Sequence, residues 1–101
     1  MVKLIALYGK PDDPQAFDRH YFEVHTPLAR KMPGLRRLEA SPVTGSPGGE
    51  PRYHLVAEMY FDDQAALNAA MKSEEGKAAA RDLMSFAGKI VHLMVAEVRA
   101  S

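Results

Sequence analysis

The chain has 101 residues, carries 13 lysines and arginines against 13 acidic residues, and contains no cysteine. A chain this short reads as one domain over residues 1–101; its balanced charge offers nucleic acid no basic footprint, and without thiols it has neither a disulfide framework nor a thiolate metal site. No apolar run approaches the roughly 18 residues of a membrane span, and the opening Met-Val-Lys-Leu-Ile-Ala-Leu-Tyr lacks a signal peptide's cleavage site, so a soluble cytoplasmic protein is expected.

Val2 to Tyr8 is a short apolar, β-branched and aromatic run closed by Gly9, a first strand. After the turn residues Lys10-Pro-Asp-Asp-Pro14, Asp13 is placed to cap a helix with Pro14 in its first turn. Phe17, Tyr21, Val24 and Leu28 recur at three- and four-residue steps, the stripe of a helix lying on a sheet. Pro27 cannot donate to the carbonyl of Glu23, so the helix should bend or lose its regularity just after His25. The chain turns at Met32-Pro33-Gly34, and Leu35 to Val43 alternates loosely as an exposed or edge strand.

Thr44 to Pro51 is rich in glycine and proline and opens onto strand residues, which makes it a long hairpin connection and not a phosphate loop. Tyr53 to Phe61 is the third strand. Asp62 and Asp63 can cap a short helix reaching Met71, with Leu67, Ala70 and Met71 inward. A second helical piece follows from Ser73 to about Phe86, interrupted early by Gly76. Lys89 to Arg99 is the fourth strand, apolar on both faces for most of its length.

The order βαββαβ with short connections gives an α+β, ferredoxin-like fold: a four-stranded antiparallel sheet with both helical segments on one face. The other face is left open, and the two-sided apolar character of the last strand predicts that a second copy of the chain covers it as a symmetric homodimer.

Tyr8, the Asp12-Asp-Pro-x-x-Phe17 run, His20-Tyr21, His25-x-Pro27-Leu28, Met32-Pro-Gly-Leu35, Ser73-x-Glu75-Gly76 and Asp82-x-x-x-Phe86 together resemble the EthD family of the dimeric α+β barrel superfamily. The resemblance covers nearly the whole chain, with His-x-Pro-Leu followed by Pro-Gly-Leu its most specific part. It implies a dimer made by packing two sheets and a small-molecule cavity in each protomer. The superfamily includes cofactor-independent monooxygenases, cyclases, isomerases and haem enzymes, so the fold does not choose a reaction.

His25 matches the family's histidine and is a candidate general base or acid; the alternative is that it bonds a carbonyl freed by Pro27 and fixes the bend. His92 interrupts the apolar start of the last strand and is the second catalytic candidate. Topology brings Tyr8 close to His54 and His92, and register decides whether the three share a face. His20, Tyr21 and Phe86 complete the expected substrate-binding set. His20 and His25 are five residues apart, about 140° around an α-helix, which argues against a shared metal ion; a lone histidine does not argue for haem, and no metal or cofactor is expected. Two functions fit: a cofactor-independent proton-transfer enzyme of isomerase, cyclase or monooxygenase type on a small apolar or aromatic substrate, and a non-catalytic small-molecule binding or accessory protein.

Overall fold

Strand β1 (Val2–Gly9) alternates by burial, with Leu4, Ala6 and Tyr8 fully covered and Lys3, Ile5 and Leu7 half-covered on the opposite face. That period of two follows from the pleat of a strand with one face against a core. The structure, a computed structural model, describes residues 1–100. Its elements continue with α1 (Pro14–His20), a π-helical turn (Tyr21–His25), α2 (Thr26–Arg30), β2 (Arg37–Pro42), β3 (Tyr53–Phe61), α3 (Gln64–Lys72), α4 (Glu74–Ala87) and β4 (Val91–Glu97). The sheet is antiparallel in the order β2-β3-β1-β4, the ferredoxin-like arrangement.

Side chains do the capping that the sequence suggests. Asp13 accepts the Ala16 N–H at 3.1 Å with Pro14 in the first turn, and Asp63 accepts the Ala66 N–H at 2.8 Å. Ser73 ends α3 and starts α4, its hydroxyl donating to the Ala70 carbonyl and accepting the Gly76 N–H. Each cap satisfies an N–H that the first turn leaves without a helical partner.

The core divides into two clusters between the helices and one face of the sheet. Leu4, Met59 and Phe61 pack with Ala29, Met32, Leu67, Ala70 and Ala79; Ala6, Tyr8, Leu55 and Ala57 pack with Phe17, Tyr21, Leu83 and Ala87. Leu55 and Phe61 are wholly enclosed, each contributing roughly 2 kcal/mol of burial.

Several local expectations are corrected. The stripe of the first helix runs Phe17, Tyr21, His25, Ala29 and Met32, whereas Val24 is 43% exposed, because the π turn advances the helix by one residue. The regularity expected to fail near Pro27 does fail, but ahead of it: the π turn spans Tyr21–His25, and the helix resumes as α2 from Thr26 to Arg30. Gly76 does not interrupt α4. A Cβ there would lie 2.0 Å from the Ala70 carbonyl oxygen, so glycine is what lets the start of α4 close against the end of α3. Strand β2 spans Arg37–Pro42, shorter than Leu35 to Val43, and Met71 is exposed, not inward.

The uncovered face is divided. On the β2–β3 side, Arg37 lies over the Tyr60 ring at 4.2 Å, Lys3 bonds Glu58 at 2.6 Å, and the Tyr60 hydroxyl donates to Glu39. These contacts relieve a direct Glu39–Glu58 pairing across the two strands. On the β1–β4 side, Ile5 pairs with Met94 and Leu7 with His92.

Candidate functional site

Helix phase decides which histidine turns inward. The Thr26 N–H returns to the carbonyl of Tyr21, five residues back, so one residue is absorbed by the π turn. The offset between His20 and His25 thereby falls from about 140° to about 40°. Both imidazoles then reach the same carboxylate. His20 Nε2 lies 2.9 Å from Asp82 Oδ1 and 3.1 Å from Oδ2, and His25 Nδ1 lies 3.0 Å from Oδ2. The 140° separation read from sequence is thus corrected, and so is the alternative in which His25 bonds a carbonyl at the bend. Among the described residues no three His, Cys, Asp or Glu side chains are arranged to hold a metal ion.

Asp82 fixes the chemistry of His25. A carboxylate only accepts, so His25 must donate Nδ1–H to it, which leaves the lone pair on Nε2. The ring is 6% exposed and lines a cavity of about 100 Å³ together with Tyr8, Leu4, Ala6, Met32 and Met59. The cavity opens where α3 and α4 approach β4, at Met71, Met84 and Leu93. These are exposed, Met84 to 61%. Apart from Tyr8 and His25 its lining is apolar, methionine included, a lining suited to an apolar guest of varied shape.

Burial is the larger influence on His25 and lowers its pKa from the usual imidazole value, only partly offset by Asp82. The ring is therefore neutral near pH 7, the state of a base. Burial also raises the Tyr8 phenol well above its ordinary range, reinforced by Tyr21 and Asp82, so Tyr8 keeps its proton. Tyr21 is raised by burial too, against smaller opposing effects of Thr26 and Arg30.

The structure sorts the sequence-predicted residues into three places. Tyr8 and His25 share the cavity. Tyr21 stands beside both, with ring centroids 5.5 Å from Tyr8 and 5.7 Å from His25. His20 and Phe86 instead line an open groove of about 680 Å³ between the start of α1 and the end of α4. That groove is the larger depression, but the buried polar groups converge on the smaller cavity. The Phe86 ring sits 4.4 Å from His20 and 5.2 Å from His25, a wall between groove and interior.

His54 and His92 part company at an irregularity in the β1–β3 register, where Tyr8 pairs with Leu55 and Gly9 with Tyr53. The extra residue turns His54 toward the helices, where it bonds Asp18 at 2.7 Å and meets the Phe17 ring edge-on at 5.3 Å. His92 lies on the open face with the Tyr53 ring 6.3 Å away. It does not join Tyr8 and His25, because the neighbours that share its row, Leu7 and Val56, point away from the helices.

Sequence reasoning about individual groups passed over Asp82, which stood only within the Asp82-x-x-x-Phe86 resemblance. Its signal is modest: an acid beside Leu83 on a helix whose inward positions are otherwise alanine, leucine and glycine.

Comparison with known proteins is consistent over nearly the full length. The family model described as EthD domain matches residues 10–90. An uncharacterized 11.0 kDa protein from the thcB-thcC intergenic region of Rhodococcus erythropolis is 36% identical over 87 residues, which is 86% of this chain and 84% of that one. The crystal structure of an EthD family protein from Bacillus halodurans superposes with a TM-score of 0.95 at 54% identity, covering 98% of this chain and 99% of the other. SnoaB, a cofactor-independent oxygenase from Streptomyces nogalater, shares the fold at a TM-score of 0.73 and 15% identity, covering 99% and 94%. Three further structures of this fold, 13% to 20% identical, are dimeric ferredoxin-like proteins.

Proposed function

The chain belongs to the EthD family, and from that premise we propose that it is a cofactor-independent enzyme that moves a proton on a small, mainly apolar carbonyl compound held in the cavity beneath its helices. The observation that carries this reading is the buried His25, with Nδ1 committed to Asp82 and no bond from the protein to Nε2 among the described residues, beside the protonated phenol of Tyr8. In the proposed step Nε2 takes a proton from carbon next to the carbonyl. The C–H electron pair moves into an enolate, and the Tyr8 hydroxyl donates a hydrogen bond to its oxygen. The enolate then regains a proton at another carbon, as in isomerisation, attacks intramolecularly, as in cyclisation, or gives its electron pair to dioxygen, forming a C–O bond and a peroxide that takes up a proton as a hydroperoxide. A SnoaB-like fold supports cofactor-independent chemistry in that protein, which makes the last course compatible with the architecture.

A cavity of about 100 Å³ takes the reacting end of a molecule and leaves the rest on the Met71, Met84 and Leu93 mouth. We further assign the apolar β1–β4 part of the open face, with Ile5, Leu7 and Met94, to contact with a second copy of the chain, in keeping with the dimeric proteins of the same fold. Sedimentation of a Met94→Lys variant tests that contact and is expected to show monomer where the parent is dimeric.

For the chemistry, 2-indanone is a suitable probe, being small, aromatic and readily enolised. Incubation in D₂O followed by NMR should show catalysed loss of its α-protons, and His25→Ala should slow this by about 10²-fold or more. Binding of 2-indanone with no exchange above the solution rate would replace the enzyme by a binding or accessory protein.

A further inference from the structure

Asp82 is shared, and the two histidines that share it face different surroundings. His25 looks into the cavity and is nearly buried; His20 has a side chain one-third exposed and lines the outer groove. One oxygen, Asp82 Oδ2, lies 3.0 Å from His25 Nδ1 and 3.1 Å from His20 Nε2. Building on the reading of His25 as the acid–base group, we propose that His20, Asp82 and His25 form one coupled acid–base unit, in which the protonation of the solvent-facing His20 sets whether the buried His25 accepts a proton from substrate.

Charge counting on the shared carboxylate gives the reason. With both rings neutral the unit carries −1, and a first proton brings it to zero. A second would place two cations on one carboxylate inside the protein, the arrangement in which neighbouring sites titrate as a pair. The buried ring is the poorer place for charge, whereas the groove leaves the other ring open to solvent. With the first proton on His20, His25 remains neutral but has lost the negative field that would stabilise its imidazolium. Proton uptake from substrate is favoured when His20 is neutral and opposed when it is charged, consistent with the lowering influence of His20 on His25.

The other groups facing the unit do not take over this role. Tyr8 from β1 and Tyr21 from the π turn stay protonated, Arg30 from α2 acts on Tyr21, and the Phe86 ring of α4 is the wall between the rings; in the groove that His20 lines stand Asp12 and Asp13 ahead of α1, the latter capping Ala16, and Lys89 after α4, none of them hydrogen-bonded to either imidazole. His54 is occupied by Asp18 on the far side of Phe17. His20 is thus a positioning residue for the field at His25 and does not itself line the cavity.

NMR titration of the imidazole nitrogens in ¹⁵N-labelled protein reads this directly, without any substrate. In the parent protein His20 and His25 should each show two-step curves with shared inflections. His20→Gln should convert His25 to a single step at higher pH, since the competing cation is gone. Independent single-step curves in the parent protein, or a His25 curve unchanged by His20→Gln, would overturn the coupling. Asp82→Asn, which keeps the shape and removes the charge, should lower the His25 curve; no movement would also overturn it. If 2-indanone exchange is absent while the titrations are coupled, the catalytic reading fails and the unit stands. If exchange is present and its acid limb ignores His20→Gln, the unit fails and the catalytic reading stands.

Discussion

The two faces of the sheet treat histidine in opposite ways. On the covered face His25 is buried, tied to a carboxylate and set against a cavity, whereas on the open face His92 is exposed and has the edge of an aromatic ring for company. The residue type is the same, and the difference lies in what surrounds it. Desolvation moves an imidazole's pKa, a carboxylate chooses its tautomer, and a cavity gives the free nitrogen something to act on. The covered face supplies all three at His25. At His92 the open face supplies neither the carboxylate nor the cavity within the protomer.

The largest test of this contrast is a paired substitution. His25→Ala should cut 2-indanone exchange by about two orders of magnitude or more, while His92→Ala should leave it within about twofold; equal losses would erase the distinction. Next comes the packing that closes the covered side. Gly76→Ala forces a methyl group to within 2.0 Å of the Ala70 carbonyl, and urea unfolding should show about 1–3 kcal/mol of destabilisation as α3 and α4 separate.

A smaller effect concerns pH. The folded-state pKa of His25 lies below its unfolded value of about 6.5, so above that pH the ring is neutral in both states and contributes no pH dependence. As pH falls below 6.5 the unfolded chain takes up the proton first, and stability declines until the folded pKa is passed. Over that window the decline measured by denaturant should be reduced in His25→Phe. The smallest change is at the cavity mouth: Met84→Ala, at a side chain 61% exposed, should alter stability by no more than about 0.5 kcal/mol while weakening 2-indanone binding.

The architecture was legible because its signals are local and repeated. The limits of β3 follow from the apolar alternation of Tyr53 to Phe61, and Asp13, Asp63 and Ser73 announce three helix starts. The βαββαβ order implied the topology, and the EthD resemblance named Asp82 and Phe86 together. What sequence could not deliver is phase. Val24 and His25 are neighbours competing for one inward position, and a regular period awards it to Val24; an i to i+5 bond reverses the choice. Likewise a single extra residue beside Gly9 sends His54 to the helices and leaves Tyr53 and His92 on the other side. Both are one-residue irregularities: one turns a titratable side chain by about 100° around its helix, and the other moves one to the opposite face of the sheet.

The π turn also has a consequence for tracing descent. A helix that has gained one residue between Tyr21 and His25 still presents Tyr21, His25 and Ala29 on one line, so a relative with an unbroken α-helix there would place its equivalent histidine four positions after the His20 counterpart, not five. Aligning two such chains without a one-column gap pairs His25 with an outward-facing residue. Counting conserved columns across that gap would then erase the histidine from the shared pattern, although both proteins hold it in the same place in space.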